Sequence, residues 1–127
     1  MLLDTNALSA FADGDAGLAP IVKQTKRISV PVVALGEYRF GIRQSRNREY
    51  YEAWLKAQSA HWEVLCVDEL TTIHYATVRF ELKQKGRPIP ANDMWIAAAT
   101  LETGSCLLTF DADFASVQGL DSVLLEA

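Results

Sequence analysis

Five carboxylates stand at positions where they could act together. Asp4 closes the apolar opening MLL, Asp111 and Asp113 follow CLLTF, Asp93 lies in the first turn of the helical stretch IPANDMWIAAATLETG, and Glu37 interrupts the apolar run VPVVALGEYRFGI. In an open parallel sheet the chemistry lies beyond the carboxyl ends of the strands, so two strands and two helices are expected to deliver these acids to one edge. Carboxylates held close together repel, and desolvation raises the cost of keeping them ionised. A divalent cation resolves that conflict. Oxygen-only ligands suit Mg²⁺ or Mn²⁺, and the lack of a His or Cys cluster argues against zinc. The chemistry such a site supports is hydrolysis of a phosphodiester by a metal-activated water.

Each acid also has a plainer reading. Asp4 could be a turn or capping residue, Asp93 stabilises a helix N-terminus in any case, and Asp111 with Asp113 could form an Asx turn or cap the AFASV segment. Glu37 is costly in apolar surroundings unless it has a partner, for which Arg39, Arg43 and Arg79 are candidates. Arg39, Arg43, Arg46 and Arg48 crowd just past Glu37 and could touch a phosphate backbone or simply form a solvated helix face. His61 reads as an end-of-helix residue and His74 as exposed, neither a catalyst. Trp54, Trp62 and Trp95 read as core or interface rather than stacking platforms.

The elements that must hold these residues alternate between strand and helix. MLL, Arg27 to Val30, WEVLCVD, Ser105 to Thr109 and SVLL read as strands. Asn6 or Ser9 can cap a short helix from about Ala7, a helical turn or two follows around Leu18 to Lys23, and Pro31 suits the start of the next helix. Glu69 to Lys85 reads as a long amphipathic helix with Leu70, Ile73, Ala76 and Phe80 on its apolar face, stopped by GRP, and Gly104 closes the helix that begins near Asn92. The alternation predicts an α/β sandwich with a largely parallel sheet.

With 127 residues, half of them apolar, the chain has the size of one domain, and its expected folded surface is roughly 6,700 Å². Twelve basic against sixteen acidic residues, a formal charge of -4, exclude a basic coat protein for nucleic acid. All twelve basic residues precede position 88, whereas residues 88 to 127 hold six acids and no Lys or Arg. Basic groups beside an acidic site fit a local RNA track better than bulk attraction. No targeting signal or membrane-spanning run is read, so a cytoplasmic protein is expected. Cys66 and Cys106, 40 residues apart, match neither a zinc nor a redox spacing and are expected to be buried free thiols.

LLDTNALSAF, PVVALGEYRFGI, PIPANDMWIAAATLETG and LLTFDADF, in this order through nearly the whole chain, resemble the PIN-domain family and, within it, the small VapC-type toxins of toxin–antitoxin pairs. The resemblance implies a three-layer α/β fold, with a five-stranded mostly parallel sheet between helices, as a single nuclease domain over residues 1–127. It implies a Mg²⁺- or Mn²⁺-dependent endoribonuclease with Asp4, Glu37, Asp93 and Asp111 as its acids and Asp113 as an outer helper. Thr5, Asn6 and Thr109 match polar positions around the family's site, and Arg39 and Arg43 are expected on the RNA side. A small antitoxin, a homodimer and the absence of membrane attachment are implied as well; the aromatic cluster of Tyr50, Tyr51 and Trp54 also favours a homodimer. The stretch GRPIPAN stands where the family usually has an alanine-rich run.

Other classes fit less well. A response-regulator receiver domain needs an acidic pair after its first strand and a Lys after its last, yet no Lys follows Lys85. A haloacid-dehalogenase phosphatase needs DxDx[TV], of which LLDTN supplies only the first Asp. A housekeeping PIN nuclease and an inactive PIN-fold interaction module are the alternatives within the fold.

Overall fold

The opening MLL is apolar on both faces, as a strand at the centre of a parallel sheet must be. It forms the two-residue strand β1 (Leu2–Leu3), with both side chains fully buried. The computed structural model describes residues 1–126. Strands β2 (Ile28–Pro31), β3 (Trp62–Leu65), β4 (Cys106–Thr109) and β5 (Asp121–Leu124) complete a five-stranded sheet of order β3-β2-β1-β4-β5. Every neighbouring pair is parallel, so the expected mostly parallel sheet is parallel throughout. The connections from β1 through β2 to β3 step outward on one side, and the chain then crosses to β4 on the other side of β1. That reversal makes the carboxyl end of β1 and β4 the topological switch point.

Six helices flank the sheet: α1 (Thr5–Ala12), α2 (Ala19–Gln24), α3 (Val32–Arg43), α4 (Arg48–Ser59), α5 (Glu69–Gln84) and α6 (Ala91–Thr103). A 3-10 turn covers Ala112–Ser116. Pro31 ends β2 and stands at the N-cap of α3, where its missing N–H is not needed. Gly104 adopts φ 63° and closes α6 with its N–H on the carbonyls of Leu101 and Thr100. This left-handed end turns the chain directly into β4, which is why α6 delivers its first turn, rather than its last, to the carboxyl edge.

Three local expectations are corrected. Asp4, not Asn6 or Ser9, caps α1: its carboxylate accepts from the Ala7 N–H, so the helix starts two residues early. Cys66 is exposed just past the edge strand β3 and Cys106 is half-buried; both are free. His74 is partly buried.

The long helix α5 corrects a larger expectation. Thr71, Val78 and Leu82 face inward, whereas Leu70, Ile73 and Phe80 are 51%, 60% and 60% exposed. Thr71 is held inside because it completes a capping box with Asp68 and donates to Glu102 Oε1 of α6 at 2.5 Å. That bond and the core packing of Val78 and Leu82 accompany a rotation of α5 that leaves the apolar stripe outward. Phe80→Ser is therefore expected to change the unfolding free energy by no more than about 0.5 kcal/mol in a urea titration. A loss above roughly 2 kcal/mol would mean that the ring belongs to the core. The molecule's accessible surface of 7624 Å² exceeds the roughly 6,700 Å² expected for its mass, in keeping with such uncovered faces.

Candidate active site

Strand register builds the first part of the site. Leu2 pairs with Leu107 and Leu3 with Leu108, so the residues that follow, Asp4 and Thr109, emerge side by side. Thr109 Oγ1 donates to Asp4 Oδ2 at 2.5 Å, and the Ala7 N–H donates to Oδ1 at 2.9 Å. Asp4 is only 4% exposed, and burial pushes its pKa above the ordinary value of 3.8. The Thr109 and Ala7 hydrogen bonds oppose that rise, while Asp111 and Glu37 add to it. Capping and a place in the site are thus one role for Asp4: the same carboxylate starts α1 and faces the other acids.

The Thr109 hydroxyl also accepts the Asp111 N–H at 2.9 Å, so a single side chain ties β1 to the turn that follows β4. Asp111 caps the 3-10 turn through its Oδ1, which accepts the Asp113 N–H at 2.9 Å. The Asx turn and the placement of Asp111 at the strand end coexist. Asp113 itself is exposed at the rim.

Glu37 comes from α3 and is held by neutral donors. Thr5 Oγ1 donates to its Oε1 at 2.7 Å and Asn92 Nδ2 to its Oε2 at 3.0 Å, which joins α1, α3 and α6 at one point. No ion pair with Arg39, Arg43 or Arg79 forms; the ion pairs among the described residues are Arg27 with Glu63 and Arg48 with Glu52. Asn92 is the site residue that sequence reasoning missed. It reads as an unremarkable start of a helix, and only its neighbour Asp93 and the glutamate across the cleft give the amide a purpose.

Asp93, in the first turn of α6, takes no hydrogen bond among the described residues. Its pKa is pushed up to about 6, first by burial and then by Asp111, Glu37, Asp4 and Asp113. Asp93 directly follows Asn92, whose amide donates to Glu37 of α3, so the first turn of α6 is brought up to that glutamate. Arg39 and Arg43 lie on the exposed side of α3, and Asn6 is exposed on the first turn of α1. They border the cleft by sequence position without entering its hydrogen-bond network.

Among the described residues, no three His, Cys, Asp or Glu side chains close into a metal cage. A hydrated Mg²⁺ does not require one, because it keeps several waters and takes one or two direct carboxylates. The donor set fits such an ion. It is all oxygen, the acids repel one another, and the Asp93 carboxylate is free of hydrogen bonds with a pKa raised to about 6, so a cation there would relieve the strain of its ionised form.

A five-stranded parallel sheet whose strand order reverses at β1 and β4, with an Asp just beyond each of those strands, defines the class as an open α/β fold. The family described as PIN domain matches residues 1–120. Ribonuclease VapC5 of Mycobacterium tuberculosis is 32% identical over 96% of this chain and 90% of its own length. The crystal structure of VapBC-5 from the same organism, a member of the VapBC family of toxin–antitoxin systems, superposes with a TM-score of 0.74 at 29% identity, covering 99% of this chain and 97% of that one. VapBC2 from Rickettsia felis, bound to a promoter DNA fragment, gives a TM-score of 0.89 at 22% identity over 98% of both chains, which is a likeness of fold. The chain belongs to the PIN-domain family, among its VapC-type ribonucleases.

Proposed function

We propose that this protein is a single-domain, Mg²⁺- or Mn²⁺-dependent endoribonuclease acting as the toxin of a type II toxin–antitoxin pair. What supports the reading is that Thr109 holds Asp4 at the switch point while Thr5 and Asn92 hold Glu37 beside the first turn of α6, where burial and the other acids raise the pKa of Asp93 to about 6. Similarity over nearly the full length to VapC5 favours a toxin over a housekeeping nuclease, and the complete set of acids favours an active enzyme over an interaction module.

In this reading Asp4, Asp93 and Asp111 would hold a hydrated ion, one or two of them directly and the rest through its waters, with Asp113 acting from the outer side. The ion supplies charge stabilisation at the phosphoryl oxygens and a water of lowered pKa. Asp4 is kept in one orientation by Ala7 and Thr109, so it needs no reorganisation when substrate arrives. Glu37, fixed by Thr5 and Asn92, retains a lone pair on each oxygen with which to orient the attacking water. Arg39 and Arg43 lie free on α3 and contact RNA phosphates. No helix among the described residues is long and apolar enough to cross a membrane.

The assay is digestion of a mixed pool of structured RNA by antitoxin-free protein, with new ends mapped. Cleavage within single-stranded or loop segments in Mg²⁺, abolished by EDTA, is expected; cleavage that survives EDTA would reject the metal-dependent mechanism. Assembly is tested separately. The partners proposed are a small antitoxin and a second copy of the chain, the latter resting on exposed Tyr50 beside half-buried Tyr51 and Trp54. Light scattering at tens of micromolar should report twice the 14.1 kDa chain mass, and a 14 kDa particle would settle against the dimer.

A further inference from the structure

Beside the acid cleft a cavity of about 490 Å³ opens between the second half of α5 and the first turn of α6. Arg79 and Lys83 line one side, and Pro88, Ile89, Ala91 and Met94 form the other. Ile89 and Met94 are buried, so this wall is firm and apolar. The cations are uncommitted: neither Arg79 nor Lys83 forms an ion pair among the described residues. Arg79 is nevertheless held in place. Its Nη1 donates to Tyr75 Oη at 2.9 Å, its guanidinium lies 6.0 Å from the Tyr75 ring centroid, and that ring stacks on Trp95 at 3.9 Å. A braced, unpaired guanidinium over an apolar hollow presents its remaining N–H donors at little entropic cost.

Position narrows the occupant. Ala91 and Met94 of the cavity wall flank Asn92 and Asp93 of the acid cleft on the same helical turn, so the two sites are neighbours along α6. Around the cavity, residues 79 to 87 carry Arg79, Lys83, Lys85 and Arg87 against the single acid Glu81, in a chain of net charge -4. We propose that this cavity receives the nucleotide next to the scissile bond of an RNA strand, its base against Pro88, Ile89 and Met94 and its phosphate on Arg79 and Lys83. The proposal rests on the ribonuclease reading, since a strand with one phosphate at the acids must lay an adjoining nucleotide along α6. A nucleotide joins a flat, largely apolar base to an anion a short distance away, which is the division of character the two walls show. A segment of a partner protein bearing an acid beside an apolar side chain is the rival occupant.

The test compares wild type, the double variant R79A/K83A, and Ala91→Phe, which fills the hollow from an exposed position without removing charge. The probe is a random-sequence, fluorescein-labelled 10-nucleotide RNA, followed by anisotropy in EDTA and by cleavage kinetics in Mg²⁺. Both variants should bind and saturate at least fivefold more weakly, with KM raised and kcat within twofold of wild type. R79A/K83A should also flatten the dependence of log affinity on log salt by about 0.7, the value for one phosphate contact on a single strand, while Ala91→Phe leaves that slope unchanged. Wild type that cleaves while both variants keep its affinity and KM overturns the cavity assignment alone. The same holds if only the charge-removing variant weakens binding, or if both variants lose a copurified partner protein while keeping RNA affinity. Wild type that cleaves no RNA in Mg²⁺ overturns this proposal together with the ribonuclease reading.

Discussion

Asp4→Asn should abolish RNA cleavage, lowering kcat/KM by roughly 10³-fold or more, while the protein remains folded. The substitution is nearly isosteric. The amide oxygen can still accept the Ala7 N–H that starts α1, so the helix cap survives, and only the charge and the acceptor facing Thr109 change. Loss of that charge also relieves repulsion from Asp111 and Glu37 in a nearly buried position, which offsets the altered contact with Thr109. Circular dichroism and thermal melting establish that the variant is folded, and end-mapping on the mixed RNA pool measures its turnover. Undiminished cleavage by folded Asp4→Asn protein would remove Asp4 from the chemistry.

Asp93→Asn should stabilise the metal-free protein at neutral pH and erase much of its pH dependence. The folded-state pKa of Asp93 lies at about 6, above the unfolded value of 3.8. Between those values the folded state keeps a proton that the unfolded chain has lost. Stability in EDTA therefore falls as pH rises from about 3.8 through about 6 and levels off above it, by roughly 1 kcal/mol for a carboxylate screened by solvent on its open side. The Asn variant carries no such penalty and should melt several degrees higher at about pH 7.5, with a flatter profile from pH 4 to 7. Mg²⁺ acts in the opposite sense. It should stabilise wild type by mass action and the Asn variant much less, so the order of the two melting temperatures narrows or reverses as metal is added. Identical metal-induced shifts in the two proteins would exclude Asp93 as a ligand.

The positions of Asp4 and Asp111 were legible because an Asp just after MLL or CLLTF follows an apolar strand of a parallel sheet, and both stand beyond the carboxyl ends of β1 and β4. The alternation of elements fixed the sheet for the same reason: β1 and β4 are too apolar for any position but the centre. Helix faces were less legible. Leu70, Ile73, Ala76 and Phe80 follow helical spacing as well as Thr71, Val78 and Leu82 do, and the face that lies inward is the one with Val78 and Leu82 in the core and Thr71 bonded to Glu102 of another helix. Asn92 escaped for a related reason, since an amide acquires its purpose only from Glu37, 55 residues away. Asp4 was weighed as either a cap or a site residue, whereas a carboxylate has enough lone pairs to be both. Cys66 follows an apolar strand, but that strand lies at the sheet edge, where hydrophobicity does not imply burial.

The hydrogen bond between Thr109 and Asp4 spans 105 positions of the chain, and it imposes an order of events during synthesis. A ribosome-bound fragment that ends before Cys106 has the opening strand, α3 and α6 but lacks β4, the neighbour that completes the switch point. Contacts of that sequence separation form late, so Asp4 gains its Thr109 partner only after β4 has emerged and the sheet has closed around β1. The same wiring makes the contact between Asp4 and Thr109 one of the first things lost when β4 leaves the sheet.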